Sequence, residues 1–159
     1  MKITNAAYSD IELESLGSFC YIKYTVISAN PEEDAINKIN MLADKLNIVN
    51  PKIIGWDFPF VSNEQINVYH MHGYTAALVL PADIKVEDKQ LVIEKREAQH
   101  YVTIIIENPM SNPFHLISDA FKSLFQYINI NSYIYDNFSF EHEYEEKDIK
   151  YMKIYIAIK

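Results

Sequence analysis

Asn30-Pro31-Glu32-Glu33-Asp34-Ala35-Ile36 and Asn112-Pro113-Phe114-His115-Leu116-Ile117 open two stretches of this chain in the same way. Each begins with an Asn able to cap a helix and a Pro whose preset φ suits the first helical position. In the first copy Glu33 stands three residues after the cap, as in a capping box. Ala35, Ile36, Ile39, Leu42, Ala43 and Leu46 then recur at spacings of three and four, which predicts a helix with one apolar face that ends before Asn50-Pro51. In the second copy Leu116, Ile117, Ala120, Phe121, Leu124, Phe125 and Ile128 form a wider stripe of the same kind.

Outward from the two helices, the flanking segments match as well. An extended stretch precedes each (residues 10–27 and 94–106), and an aromatic-rich strand follows each (53–60 and 138–144). A final apolar strand closes each half (68–80 and 151–158). The expected fold class is α+β: two pseudo-symmetric strand-helix-strand-strand modules, with an antiparallel sheet and two main helices on one face. Met152, Ile154, Ile156 and Ile158 should face a helix, leaving Tyr151, Lys153, Tyr155 and Ala157 on the other side. Residues 73–80 are apolar on both faces from Ala76 onward and should form a central strand. Gly17 marks a bend between Ile11–Leu13 and the strand that begins near Phe19. The polar link 81–90, with Asp83, Lys85, Glu87, Asp88 and Lys89, is the expected boundary between internal modules 1–82 and 90–159 of a single domain, 1–159.

Composition narrows the function classes. A 49% hydrophobic content supplies a core, and 159 residues suit one domain or two small modules. The 22 acidic and 14 basic residues leave a net charge of −8, which disfavours direct binding to a phosphate backbone and suits cationic or neutral ligands, or a basic protein. The 12 Tyr and 8 Phe suit a lined cleft, although an AT-rich coding bias favours the same residues. Cys20 is the only cysteine and is read as a structural thiol on a strand. No apolar run approaches the roughly 18 residues that span a bilayer, so no membrane association is expected and the expected location is cytoplasmic. There is no Gly-rich phosphate loop, CxxC, HExxH or GxSxG, and no cofactor is expected.

Three segments carry candidate chemistry. Trp56, followed by Asp57-Phe58-Pro59-Phe60, can serve as a stacking wall for a flat or cationic ligand or simply cover a strand end. In Tyr69-His70-Met71-His72-Gly73-Tyr74 the two histidines would share one strand face. They lack a third and fourth ligand nearby, and no metal site is expected. In Phe138-Ser139-Phe140-Glu141-His142-Glu143-Tyr144 alternation puts Phe138, Phe140, His142 and Tyr144 on one face and Glu141 and Glu143 on the other. A carboxylate entering an aromatic cleft would have its pKa raised and would be ready to pair with a cation or act as an acid or base.

With these residues in place, the chain resembles the GyrI-like superfamily, also described as the bacterial transcription activator effector-binding domain, over nearly its whole length. Asp10-Ile11-Glu12-Leu13 is similar to the family's first strand and Asn30-Pro31 precedes its first helix. Gly55 to Pro59 and the segment 69–74 resemble its middle section. Residues 98–106, 114–128 and Phe140-Glu141 near Tyr144 resemble its second half. The resemblance implies two strand-helix-strand-strand modules and a groove for small, often hydrophobic or cationic molecules, floored by a Glu from a Phe/Leu-Glu-x-Tyr motif and walled by aromatic rings. Relatives include drug-sensing domains of AraC- and MerR-type regulators, a DNA-gyrase inhibitor, and stand-alone proteins, some of which hydrolyse strained cyclopropane-containing compounds. Carried onto this chain, the ligand-binding residues are Glu141, Trp56, Tyr69, Tyr74, Tyr101, Phe140 and Tyr144, with Glu143 as the alternative acid. Glu141 would be catalytic only in an enzyme.

The sequence departs from the family twice. One extra residue separates Glu141 from Tyr144, so either a bulge displaces Tyr144 or Glu143 takes the acidic role; Glu141 is favoured because Phe140 is kept. Ile106-Glu107-Asn108-Pro109-Met110 replaces a His-x-Gly-Pro-Tyr-like turn. Met1 is expected to be a natural start, with no DNA-binding helix pair ahead of it. The leading expectation is a stand-alone regulatory domain that binds a small molecule, with a separate regulator or a homodimer as partner. The alternatives are a hydrolase of strained small molecules and an inhibitor that binds a basic partner such as DNA gyrase.

Overall fold

A computed structural model describes residues 7–159; the segment 1–6, with the expected start at Met1, lies outside them. The strands are β1 (Glu12–Leu16), β2 (Phe19–Ser28), β3 (Lys52–Asp57), β4 (His72–Val79), β5 (Glu94–Arg96), β6 (Gln99–Glu107), β7 (Tyr135–Glu146) and β8 (Ile149–Ile158). The helices are α1 (Pro31–Lys45), α2 (Asn63–Asn67) and α3 (Pro113–Ile130), with a 3₁₀ turn at Pro109–Ser111. The fold is α+β, and every strand pairing within a unit is antiparallel.

Two compact units form, residues 18–97 and residues 7–17 with 98–159. In the first, β3, β4, β2 and β5 lie side by side in that order; in the second the order is β1, β6, β8, β7. Each unit therefore contains the expected strand-helix-strand-strand run, completed by one further edge strand. Gly17 and Ser18 separate β1 from β2, and the two strands do not pair with each other. β1 pairs with β6, and β5, which leads directly into β6, pairs with β2. Tyr8 reinforces the placement of the opening segment by donating its hydroxyl to Leu116 O at 2.8 Å. The boundaries expected at 82 and 90 fall inside unit 18–97. There Ile84, Val86 and Leu91 pack against the α1 core, and Asp88 reaches Lys45 at 3.5 Å.

The periodicities select the faces. Ala35, Ile39, Leu42 and Ala43 of α1 bury against Ile22, Ala76 and Leu78. Ala120, Leu124 and Ile128 of α3 bury against Val102, Ile104, Ile106, Met152, Ile154, Ile156 and Ile158. Each fully buried Leu or Ile contributes roughly 1.5–3 kcal/mol. The expected inward set of β8 and the central place of β4 are both present. Gly73 is required by close approach: a Cβ there would run into the backbone oxygen of Phe58.

The helix starts differ from the expected caps. Asn30 and Asn112 make no side-chain cap bond. Ser28 takes over at α1, where Oγ accepts the Asn30 N–H at 3.2 Å and donates to the Asp34 carboxylate at 2.5 Å. The capping box appears instead at the short α2, between Ser62 and Gln65. In β7 the register with β8 shifts between Tyr135 and Ser139, and Asn137 adopts φ 54° there. The bulge thus precedes Glu141 and does not separate it from Tyr144.

Candidate functional site

In unit 7–17/98–159, β6, β7 and β8 sort their side chains between two faces. Residues directly opposite in an antiparallel pair point the same way. Glu141 stands opposite Ile154 and Glu143 opposite Met152, and both partners belong to the core built on α3. The two carboxylates therefore fall on the α3 side of the sheet, Glu141 half-buried and Glu143 exposed. The aromatic face is the other one.

That face is built from Tyr101, Phe140 and Tyr155, which are 0%, 2% and 5% exposed. Phe140 stacks on Tyr155 with ring centroids 4.4 Å apart. Tyr101 meets both edge-on, at 5.5 Å and 5.9 Å. Tyr144 continues the face, stacked on Tyr151 at 5.4 Å. The carboxylate that reaches Lys153 on this side is Glu14 of β1, opposite Tyr101 in register. Lys153 Nζ donates to Glu14 Oε1 at 2.8 Å and lies 2.7 Å from Oε2, so one ammonium pairs with both carboxylate oxygens. The same ammonium sits 5.1 Å from the Tyr155 ring centroid, within cation–π range. Burial, and then the Glu14 charge, push the Tyr155 hydroxyl up to about 12, so near neutrality this ring presents a neutral hydroxyl. Chemically, the cluster is three packed rings beside a partly exposed ion pair, with the Lys153 ammonium lying over the Tyr155 ring.

Unit 18–97 repeats part of this pattern. Glu94 of β5 stands opposite Tyr21 as Glu14 stands opposite Tyr101, and it pairs with Lys23 at 3.3 Å. Trp56 meets Tyr21 edge-on at 6.0 Å, on the sheet face turned from α1. Tyr74 lies on the opposite side: it is part of the α1 core, and its hydroxyl occupies the space a Cβ on Gly55 would fill. Tyr69 lies past the end of α2 and is 56% exposed. His70 has φ 52° and precedes β4, so strand alternation does not align it with His72. Among the described residues, no three of His, Cys, Asp or Glu converge as metal ligands, and no helix is long and apolar enough to cross a membrane.

Of the residues expected at a site, Tyr101 and Phe140 are brought together, with Tyr144 further along the same face. Glu141 and Glu143 are turned to the other face, and Tyr74 is turned into its own unit's core. The sequence reading missed Glu14, Lys153, Tyr155 and Tyr21. A signal for three of them was present. Glu12 and Glu14 alternate with Ile11 and Leu13, and Lys153 and Tyr155 belong to the set of β8 turned from the helix.

No family model matches the sequence, and no curated protein matches it. Solved structures do. The EcmrR C-terminal domain superposes with a TM-score of 0.68 at 14% identity, over 98% of this chain and 99% of that one. The chain shares the fold of that domain. In the EcmrR–DNA complex the chain spans 57% of EcmrR. A hydrolase from Listeria innocua shares the fold at a TM-score of 0.65 and 9% identity, over 94% and 91% of the two chains. SAV2435, solved with bound tetraphenylphosphonium, gives 0.55 at 12% identity over 95% and 94%.

Proposed function

We propose that this chain binds lipophilic small molecules as a regulatory module, through the aromatic face of unit 7–17/98–159. One observation carries the reading: three buried rings, Tyr101, Phe140 and Tyr155, converge beside the partly exposed ion pair of Glu14 and Lys153. A core assembled for stability alone gains little from a partly desolvated ion pair, because desolvation offsets much of the attraction between the two charges. Rings beside a carboxylate suit a ligand that offers aromatic area and positive charge. SAV2435, which has the same fold, holds a ligand of that type, a lipophilic phosphonium.

The test is isothermal titration with tetraphenylphosphonium, followed by mass analysis of the recovered compound. The expected result is saturable binding that Phe140→Ala weakens about tenfold, since a well-placed ring contact contributes on the order of 1 kcal/mol beyond its area, with the compound recovered intact. Equal binding by the wild type and Phe140→Ala would place the ligand elsewhere. Conversion of a strained cyclopropane substrate, lost on Glu14→Gln, would favour hydrolysis.

A further inference from the structure

We infer that Lys153 is a resident stand-in for the cationic ligand, so that a cation enters the aromatic face only by displacing it. The inference rests on the binding reading above and concerns how that site selects. Two contacts that a ligand cation would seek are already made by one side chain: Nζ lies 2.7 Å and 2.8 Å from the two Glu14 oxygens and 5.1 Å from the Tyr155 centroid. The lysine side chain is 17% exposed and that of Glu14 29%. The pair therefore lies at the solvent side of rings that are themselves buried. An incoming cation can reach the carboxylate from there once the flexible four-carbon stem swings outward.

The consequence is a filter. A small hydrated cation gains no ring contact to offset the loss of the Lys153 pair. A large aromatic cation replaces the ammonium at Glu14 and packs on the Tyr155 face that the lysine vacates, and the released Lys153 regains full hydration. A neutral aromatic compound uses the rings without competing for the carboxylate. Lys153 thus sets a threshold that depends on the ligand's charge and its apolar area together.

The experiment compares two probes, tetraphenylphosphonium and the neutral triphenylphosphine oxide, on the full chain. Lys153→Met keeps the length of the stem and removes its charge. Tetraphenylphosphonium should then bind tenfold or more tightly, with the phosphine oxide changed by less than twofold. Adding Glu14→Gln to Lys153→Met should abolish most of the gain. Lys153→Arg, which holds a carboxylate in a planar fork and stacks on a ring, should weaken phosphonium binding several-fold, and it serves if the methionine variant fails to fold. Wild-type binding with no gain in Lys153→Met, or tighter binding in Lys153→Arg, overturns the inference and leaves the binding reading standing. An equal gain for both probes also overturns it, because that would report added space and not a vacated charge. Binding of neither probe to any folded variant overturns both readings.

Discussion

Tyr155 shows how a single hydroxyl can report on its surroundings. Its ring is 5% exposed, and its pKa is raised from 10.0 to about 12 by burial and then by the negative charge of Glu14. The fold thus favours the protonated form. The stability linked to this proton is fully present below pH 10 and is lost as pH rises through about 12. By pH 11.5 the loss amounts to about 2 kcal/mol. Urea unfolding of the wild type and of Tyr155→Phe between pH 9 and 11.5 checks this. The wild type should fall more steeply, and parallel curves would show that the hydroxyl is not shielded. Glu14→Gln should recover a smaller part of the difference, because burial is the larger cause.

The β7–β8 hairpin turns on Lys147 and Asp148, with φ of 51° and 64°. Two consecutive left-handed residues make the mirror-type turn that matches strand twist, and Asn-Gly is the pair that adopts it at least cost. Lys147→Asn combined with Asp148→Gly should therefore stabilise the chain by about 1 kcal/mol, seen as a rise of about 2–4 °C in Tm. A lower Tm would mean that the Lys147 or Asp148 side chain makes a compensating contact. The helices were legible because a period of three to four residues and a starting proline are local properties. The faces of β8 were legible for the same reason, since Met152 through Ile158 alternate strictly. The bulge at Asn137 was not legible: Tyr135-Asp136-Asn137-Phe138 contains no glycine, and its register is chosen by pairing with β8. Strand alternation grouped Phe140 apart from Glu141 correctly, but the family resemblance then placed both in one cleft. Glu14 was missed because it reaches the rings through pairing with β6, far along the chain.

Over the whole molecule, the net charge of −8 favours the approach of cations to any site, an effect that salt screens. The connectivity is more specific. β6 is the second strand of its unit, and its outer edge is closed by β1 from the opening of the chain. Further ties are Ser9 N to Ile105 O at 2.9 Å and Glu107 N to Ala7 O at 2.8 Å. A chain starting at residue 18 should leave that edge unpaired and the Ile11 side of the α3 core uncovered. It is expected to associate on a sizing column and lose its sharp melting transition, whereas a monomer melting as the full chain does would show β1 to be dispensable. The same connectivity constrains descent. One unit is assembled from two separated stretches that flank the other, so no contiguous cassette carries it whole. Recombination can carry unit 18–97 away as one piece, but it can move the split unit intact only with the other between its two stretches.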